Sequence, residues 1–298
     1  LPLRQEPEEI ICEPKAYLNE LMMDENSGLP SIKEVFDTTP YTILVVDDNP
    51  DMTDFLKRTF EGYFKRIIIA GDGVEALQLV RSHVPDIIVS DVMMPRMNGY
   101  ELCKTIKEDI TISHIPVILL TARDDRQSQI SGYKNGADGY LSKPFEVEML
   151  LELICNRLRS REYTKKRYLN AGLIPTPEES TISLTDETFL IKLNSVIQAN
   201  MDNTGLGIQF ICQEVGLGRS SLYNKLKALT GMGANDYISK LRIEKAITLI
   251  SSTDMSFSEI AEKTGFTTPS YFSTAFKQYT GKTPSQYKEK RKKGLTDK

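Results

Sequence analysis

Histidine is scarce: only His83 and His114 occur in 298 residues. A His-based metal centre or a catalytic triad is therefore not expected. The four cysteines, Cys12, Cys103, Cys155 and Cys212, are widely scattered and form no CxxC pair. They read as free thiols of a reducing compartment. There is no run of about 18 apolar residues, so no membrane-spanning helix is expected in this segment. Nothing at the start reads as a signal peptide. The chain opens on Leu rather than Met, so a piece of a longer product is expected.

What is present is ordinary in bulk and uneven in distribution. Apolar residues make up 40% and charged residues 26%, as in soluble globular proteins. The length suffices for two domains. Residues 181–298 hold 16 Lys+Arg and 11 Asp+Glu, a net of +5, whereas residues 1–180 hold 21 and 30, a net of −9. An acidic front and a basic back predict different partners for the two halves, and the back leans towards nucleic acid.

Residues 1–40 read as an acidic, polar leader without a fold of their own. From Thr42 onward, short β-branched runs recur at Thr42–Val46, Arg66–Ala70, Asp86–Ser90, Pro116–Leu120 and Asp138–Ser142. Amphipathic stretches of helical length alternate with them, among them Met52–Phe60, Gly73–Ser82, Gly99–Glu108 and Val147–Leu158. Five strands alternating with helices predict an α/β domain, a flavodoxin-like, doubly wound parallel sheet covered on both faces. In such sheets the active groups gather at the carboxyl ends of the strands. Residues 161–185 lose the pattern, and AGLIPTPEESTISL reads as an interdomain linker. From Asp186 to Tyr287 the texture is helical, with glycine-containing breaks. The expected organisation is a leader over 1–40, an α/β domain over 41–160, a linker over 161–185, an all-α domain over 186–290 and a basic tail over 291–298.

Strand ends carry the chemistry of the first domain. The first strand ends in VVDDN, giving Asp47 and Asp48, and the third, DIIVSD, ends in Asp91. LLTAR places Thr121 at the end of the fourth, and GYLSKPF places Tyr140 and Lys143 at the fifth. Crowded carboxylates raise one another's pKa values, and a divalent cation relieves that conflict. All-oxygen donors with room for water suit Mg²⁺. With Lys143 beside them, they form a site for a phosphoryl group, for which Thr121 supplies a hydrogen bond and one Asp the accepting oxygen. Acids at strand ends are often merely solvated, and the Asp47–Asp48 pair alone permits that reading. The whole set in this order argues against it. Pro144 is a candidate cis proline.

In these motifs, residues 42 to about 160 resemble a receiver domain of a two-component response regulator. The resemblance implies that Asp91 is the phosphoacceptor and that Asp47 and Asp48 are the acidic pair, with Asp48 a direct Mg²⁺ ligand. It implies that Met93 offers the metal its backbone carbonyl, so its side-chain type is free. Thr121 and Tyr140 match the switch pair, and Lys143 the family's lysine. No position departs from the pattern.

In the second half, GIQFICQEVGLGRSSLYNKLKALTG (207–231) and SFSEIAEKTGFTTPSYFSTAFKQYTG (256–281) share one layout. Each has an apolar helix, a glycine-containing turn and a second helix ending in Thr-Gly, which is a helix-turn-helix present twice. Ser256-x-x-Glu259 predicts a capping box, and Thr268-Pro269 an N-cap before an N1 proline. On a helical wheel, Leu222, Leu226 and Leu229 share one side, opposite Ser220, Tyr223, Asn224 and Lys227. Phe272, Ala275, Phe276 and Tyr279 likewise oppose Ser270, Ser273, Thr274 and Lys277. The polar faces suit a major groove, although any amphipathic helix shows water a polar face. Residues 234–252 between the units span roughly 28 Å as a helix, which would separate the reading helices by about one turn of DNA, ~34 Å.

The stretches IEKAITLI, SEIAEKTGF and PSYFSTAFKQYTGKTPSQY make residues 187 to about 290 similar to an AraC-type DNA-binding domain. The resemblance implies base reading from Ser220, Tyr223, Asn224, Ser270, Ser273 and Thr274, with Arg219, Lys227 and Lys277 beside them. Gly218 departs from the family's common Ser at this N-cap. Lys288–Lys293 holds five basic residues that either meet phosphates or are simply solvated.

A receiver joined to a doubled helix-turn-helix resembles the cytoplasmic C-terminal end of a hybrid two-component sensor kinase, whose parent is membrane-anchored. The expected function is phosphorylation-dependent, sequence-specific transcriptional regulation, non-enzymatic in this segment. Expected partners are a histidine kinase domain, double-stranded DNA, a second copy on phosphorylation and RNA polymerase. Two alternatives stand beside it: a phosphorelay intermediate, and a constitutive DNA-binding protein whose receiver only dimerises.

Overall fold

Alternation along short apolar strands builds the first unit. Strands β1 (Thr42–Val46), β2 (Arg66–Ala70), β3 (Ile87–Asp91), β4 (Val117–Ala122) and β5 (Gly139–Lys143) are parallel and lie in the order β2-β1-β3-β4-β5. In this computed structural model, residues 36–122, 136–170 and 183–289 are described. Most of the expected leader, residues 171–182 of the expected linker, Cys12 and the basic tail lie outside them. The central strands are covered on both faces and so read as near-continuous apolar runs, yet their side chains sort by parity. Ile43, Val45, Ile87, Val89, Ile118 and Leu120 join one core with α1 (Pro50–Phe60) and α4 (Val147–Asn170). Leu44, Val46, Ile88, Val117 and Leu119 join the other with α2 (Gly73–His83) and α3 (Gly99–Glu108). The doubly wound sheet expected from the sequence is therefore present.

Three strands begin one residue later than expected. Asp86 and Asp138 precede β3 and β5 and work as clamps. Asp86 Oδ2 accepts from the Thr42 N–H at 2.9 Å, and Asp138 Oδ2 from the Val117 N–H at 2.8 Å. Asp138 also meets Lys107 Nζ at 2.7 Å. Helix starts follow their caps. Asn49 and Asp72 accept from the first turns of α1 and α2, and Asn98 with Glu101 closes a capping box on α3. The helix α4 runs on to Asn170, past the expected start of the linker. Tyr168, in its last turn, is buried, and Lys240 donates to the Tyr168 carbonyl.

The chain divides into two units at Ser160 and Arg161. The second contains α5 (Leu184–Ala199), α6 (Ile208–Val215), α7 (Arg219–Thr230), α8 (Ala234–Ser252), α9 (Phe257–Lys263) and α10 (Pro269–Thr280). Helix α5 begins two residues before the expected boundary, where Ser183 caps it. The pairs α6/α7 and α9/α10 are the two helix-turn-helix units. Helices α9 and α10 pack on α8 around Ile243, Ile260, Phe266, Phe272 and Phe276. The Ser256–Glu259 capping box and the Thr268 cap before Pro269 form as their spacing predicts. Tyr279 departs from its apolar neighbours: it is 39% exposed, and its hydroxyl donates to the Asp236 carbonyl at 2.6 Å. The Cys103 and Cys155 thiols are buried and in no disulfide, and burial pushes both up, Cys103 to about 12, so neither is a ready nucleophile. Among the described residues no helix is long and apolar enough to cross a membrane.

Candidate functional site

Parallel register places the acidic residues along one edge. Val46 pairs with Ser90, Asp91 with Leu120, and Ala122 with Lys143, so Asp47, Asp91, Thr121 and Lys143 all lie at the carboxyl ends of their strands. Lys143 Nζ stands 2.7 Å from Asp91 Oδ1 and 2.9 Å from Asp47 Oδ2. One ammonium thus bridges two buried carboxylates. Each acid is also held by backbone: Asp91 Oδ2 accepts from the Met93 N–H at 2.9 Å, and Asp47 Oδ1 from the Asn49 N–H at 2.9 Å. The Lys143–Pro144 peptide is cis, as the sequence led us to expect.

The loop from β3 to α3 closes tightly on this edge. A Cβ on Gly99 would lie 2.3 Å from the Asp91 carbonyl oxygen, so only glycine fits there. The Gly99 N–H donates to the Val92 carbonyl at 3.0 Å. Within the loop, Arg96 takes a left-handed backbone with φ 64°, and its guanidinium pairs with Asp72, the cap of α2.

Burial pushes the Asp91 carboxyl above its ordinary pKa; Lys143 opposes the shift and Asp47 adds to it. For Lys143, burial alone would lower the pKa, but the Asp47 and Asp91 carboxylates outweigh it and hold the ammonium above its ordinary range. Thr121 is buried, and its hydroxyl has no hydrogen-bond partner among the described residues. Tyr140 is half-buried against the core of α2 and α3.

The third acid, Asp48, follows Asp47 at the same strand end. Asp48 is exposed and takes no part in the Lys143 bridge, as befits the residue after Asp47 on an extended chain. Among the described residues, no three acidic, His or Cys side chains close around a common point. The Met93 side chain is 74% exposed, leaving only its backbone at the site. The donors that do converge are hard oxygens already arranged around a cation. Mg²⁺ needs only one or two carboxylates and keeps several waters, so the residues fit it.

In the second unit, Arg219, Ser220, Tyr223, Lys227, Ser270, Thr274 and Lys277 are exposed, and Asn224 and Ser273 half-buried. Each polar face lies opposite the buried Leu222, Leu226 and Leu229 or Phe272, Ala275 and Phe276. Arg219, Ser220, Tyr223 and Asn224 also line an open groove of about 600 Å³. Sequence reasoning missed Lys225. Its side chain is fully buried, its ammonium pairs with Asp186, and it sits 5.1 Å from the centre of the Phe189 ring. The wheel carries the signal, because Lys225 falls on the side of Leu222 and Leu229.

Residues 43–155 match the response regulator receiver domain, and residues 211–290 match a helix-turn-helix domain of AraC type. Histidine kinase P4 of Formosa agariphila is 40% identical over 249 residues, covering 84% of this chain and 18% of that protein. The chain thus spans less than a fifth of that relative's length. Response regulator MprA of Mycobacterium sp. (strain KMS) is 45% identical over 165 residues, 51% of this chain and 70% of its own. Among solved structures, the C-terminal domain of AraT, a response regulator from Geobacillus stearothermophilus, is 30% identical with a TM-score of 0.33. It covers 34% of this chain and 84% of that one. With a receiver domain first along the chain, a doubled helix-turn-helix after it, and 70% of the MprA response regulator's length matched, the chain belongs to the response regulator family.

Proposed function

We propose that Asp91 accepts a phosphoryl group from a kinase phosphohistidine, and that this event controls self-association and promoter binding. The supporting observation is the Lys143 ammonium held between Asp91 and Asp47 at 2.7 and 2.9 Å. An Asp91 oxygen attacks phosphorus, the P–N bond breaks, and its electron pair leaves with the imidazole, which takes up a proton. Lys143 keeps a fixed positive charge beside the Asp91 carboxylate, where the phosphoryl oxygens arrive. The Thr121 hydroxyl, buried at the next strand end, donates to a phosphoryl oxygen, and Tyr140 turns inward with it. Asp48 would be the direct Mg²⁺ ligand of the acidic pair, with Asp47, Asp91 and the Met93 carbonyl as the other donors. When bound, the ion supplies charge neutralisation for the incoming phosphoryl group.

The DNA-facing residues in this reading are Ser220, Tyr223, Asn224, Ser270, Ser273 and Thr274 for bases, with Arg219, Lys227 and Lys277 beside them. Paired receivers bring several such faces to repeated sites, and multivalency raises occupancy. RNA polymerase is then a further partner. The name and length of the kinase relative support reading this chain as the output end of a longer hybrid kinase; such a parent would be membrane-anchored, with this segment on the cytoplasmic side.

Incubation with acetyl phosphate and Mg²⁺ tests the first step. Acid-labile phosphorylation, seen on a phosphate-affinity gel, is expected in the wild type and absent in Asp91→Asn; equal labelling of both refutes the assignment. Gel shifts with and without beryllofluoride test the second step. No DNA binding would favour a relay intermediate, and binding indifferent to the mimic would favour a constitutive DNA-binding protein.

A further inference from the structure

We infer that Asp186 and Lys225 are positioning residues for DNA reading, and that their buried pair sets the pose of α7 but not that of α10. The inference rests on the DNA-facing assignment above.

The two reading helices are built alike. Each has 12 residues, from Arg219 to Thr230 and from Pro269 to Thr280. Thr230 and Thr280 donate to the carbonyls of Leu226 and Phe276 at 2.8 and 2.7 Å, and Gly231 and Gly281 end both helices in the left-handed conformation. This equivalence places Lys225 where α10 has Ala275. Ala275 is buried in the apolar core with Phe272 and Phe276. At the matching point, α7 carries a fully buried lysine, ion-paired to an Asp186 that is itself 3% exposed. Asp186 stands in the first turn of α5, where its N–H donates to Ser183 Oγ at 3.2 Å.

Apolar packing holds α10, so an ion pair is not needed to hold a helix of this kind. Buried pairs are also poor sources of stability, because the cost of removing both charges from water offsets their attraction. What they do supply is direction. An apolar contact tolerates sliding and rotation, whereas a buried ammonium is satisfied only where its carboxylate partner stands. Tyr223, Asn224 and Lys227 lie within two residues of Lys225, so fixing Lys225 fixes the rotation and height of the face they form.

The test uses the full chain and a pool of duplex DNA with a randomised stretch, sequenced after selection. Asn224→Ala and Thr274→Ala assign the halves of the selected motif to α7 and α10. In the double variant Asp186→Leu with Lys225→Met, base preference in the α7 half is expected to fall roughly tenfold, the scale of one lost base contact. The α10 half is expected to keep its preference. In Asp186→Asn with Lys225→Gln, a directional hydrogen bond remains possible, and the α7 half recovers most of its preference. Unchanged preference in both halves of the apolar variant overturns the inference. So does loss from both halves together, or the absence of a cooperative melt, since the pair would then hold the fold rather than the pose. A wild-type chain that selects no motif overturns the DNA-facing assignment and the positioning role with it.

Discussion

Asp91 shows how far one residue's setting departs from its composition. Its carboxyl titrates above the ordinary 3.8 because burial disfavours the charge. The native state therefore binds its proton more tightly than the unfolded chain, and ionisation at neutral pH costs stability. Asp91→Asn is expected to unfold at higher urea than wild type at neutral pH. That gain should vanish below 3.8, where both states are protonated, as paired denaturation curves would show. Lys143 has the opposite sign: its contribution is present below the ordinary lysine value and lost as pH rises through its raised one. The acids are legible in the sequence because Asp47 and Asp91 end β-branched runs, and the lysine because it closes GYLS just before Pro144. That one ammonium serves Asp47 and Asp91 while Asp48 stays outside is not legible, since it depends on register between strands distant in sequence. The need for glycine at position 99 is hidden for the same reason.

Among the elements, helix starts are the most legible, because a cap is a local event between residues two or three apart. Asp86 and Asp138 are harder to read. Their places beside apolar runs disguise clamps as strand residues, and only the neighbouring strand reveals the hydrogen bond. Lys225 escapes sequence reasoning for a similar reason, since its partner Asp186 lies on another helix. Gly218 offers a test of capping alone. It caps α7 without a side chain, its φ is −69°, and a Cβ there would meet nothing within 4 Å. Gly218→Ser is expected to stabilise the all-α unit by a few tenths of a kcal/mol in chemical denaturation. Gly265→Ala should do the reverse, because φ is +73° and the new Cβ would lie 2.1 Å from the Met201 carbonyl oxygen.

Across the whole molecule the charge is split, with a net of −9 over residues 1–180 and +5 beyond. If Lys227 and Lys277 each neutralise one phosphate, replacing either by Ala should reduce the slope of log affinity against log salt by about 1. Binding titrations on one duplex at several salt concentrations measure this, and an unchanged slope would remove the residue from the interface. The Thr121 hydroxyl, buried without a partner among the described residues, has a consequence at this scale too. An unsatisfied buried hydroxyl costs about 1–3 kcal/mol. Thr121→Val, which keeps the shape and removes the hydroxyl, is therefore expected to melt at or above the wild-type temperature in the unphosphorylated chain, as paired thermal scans would show.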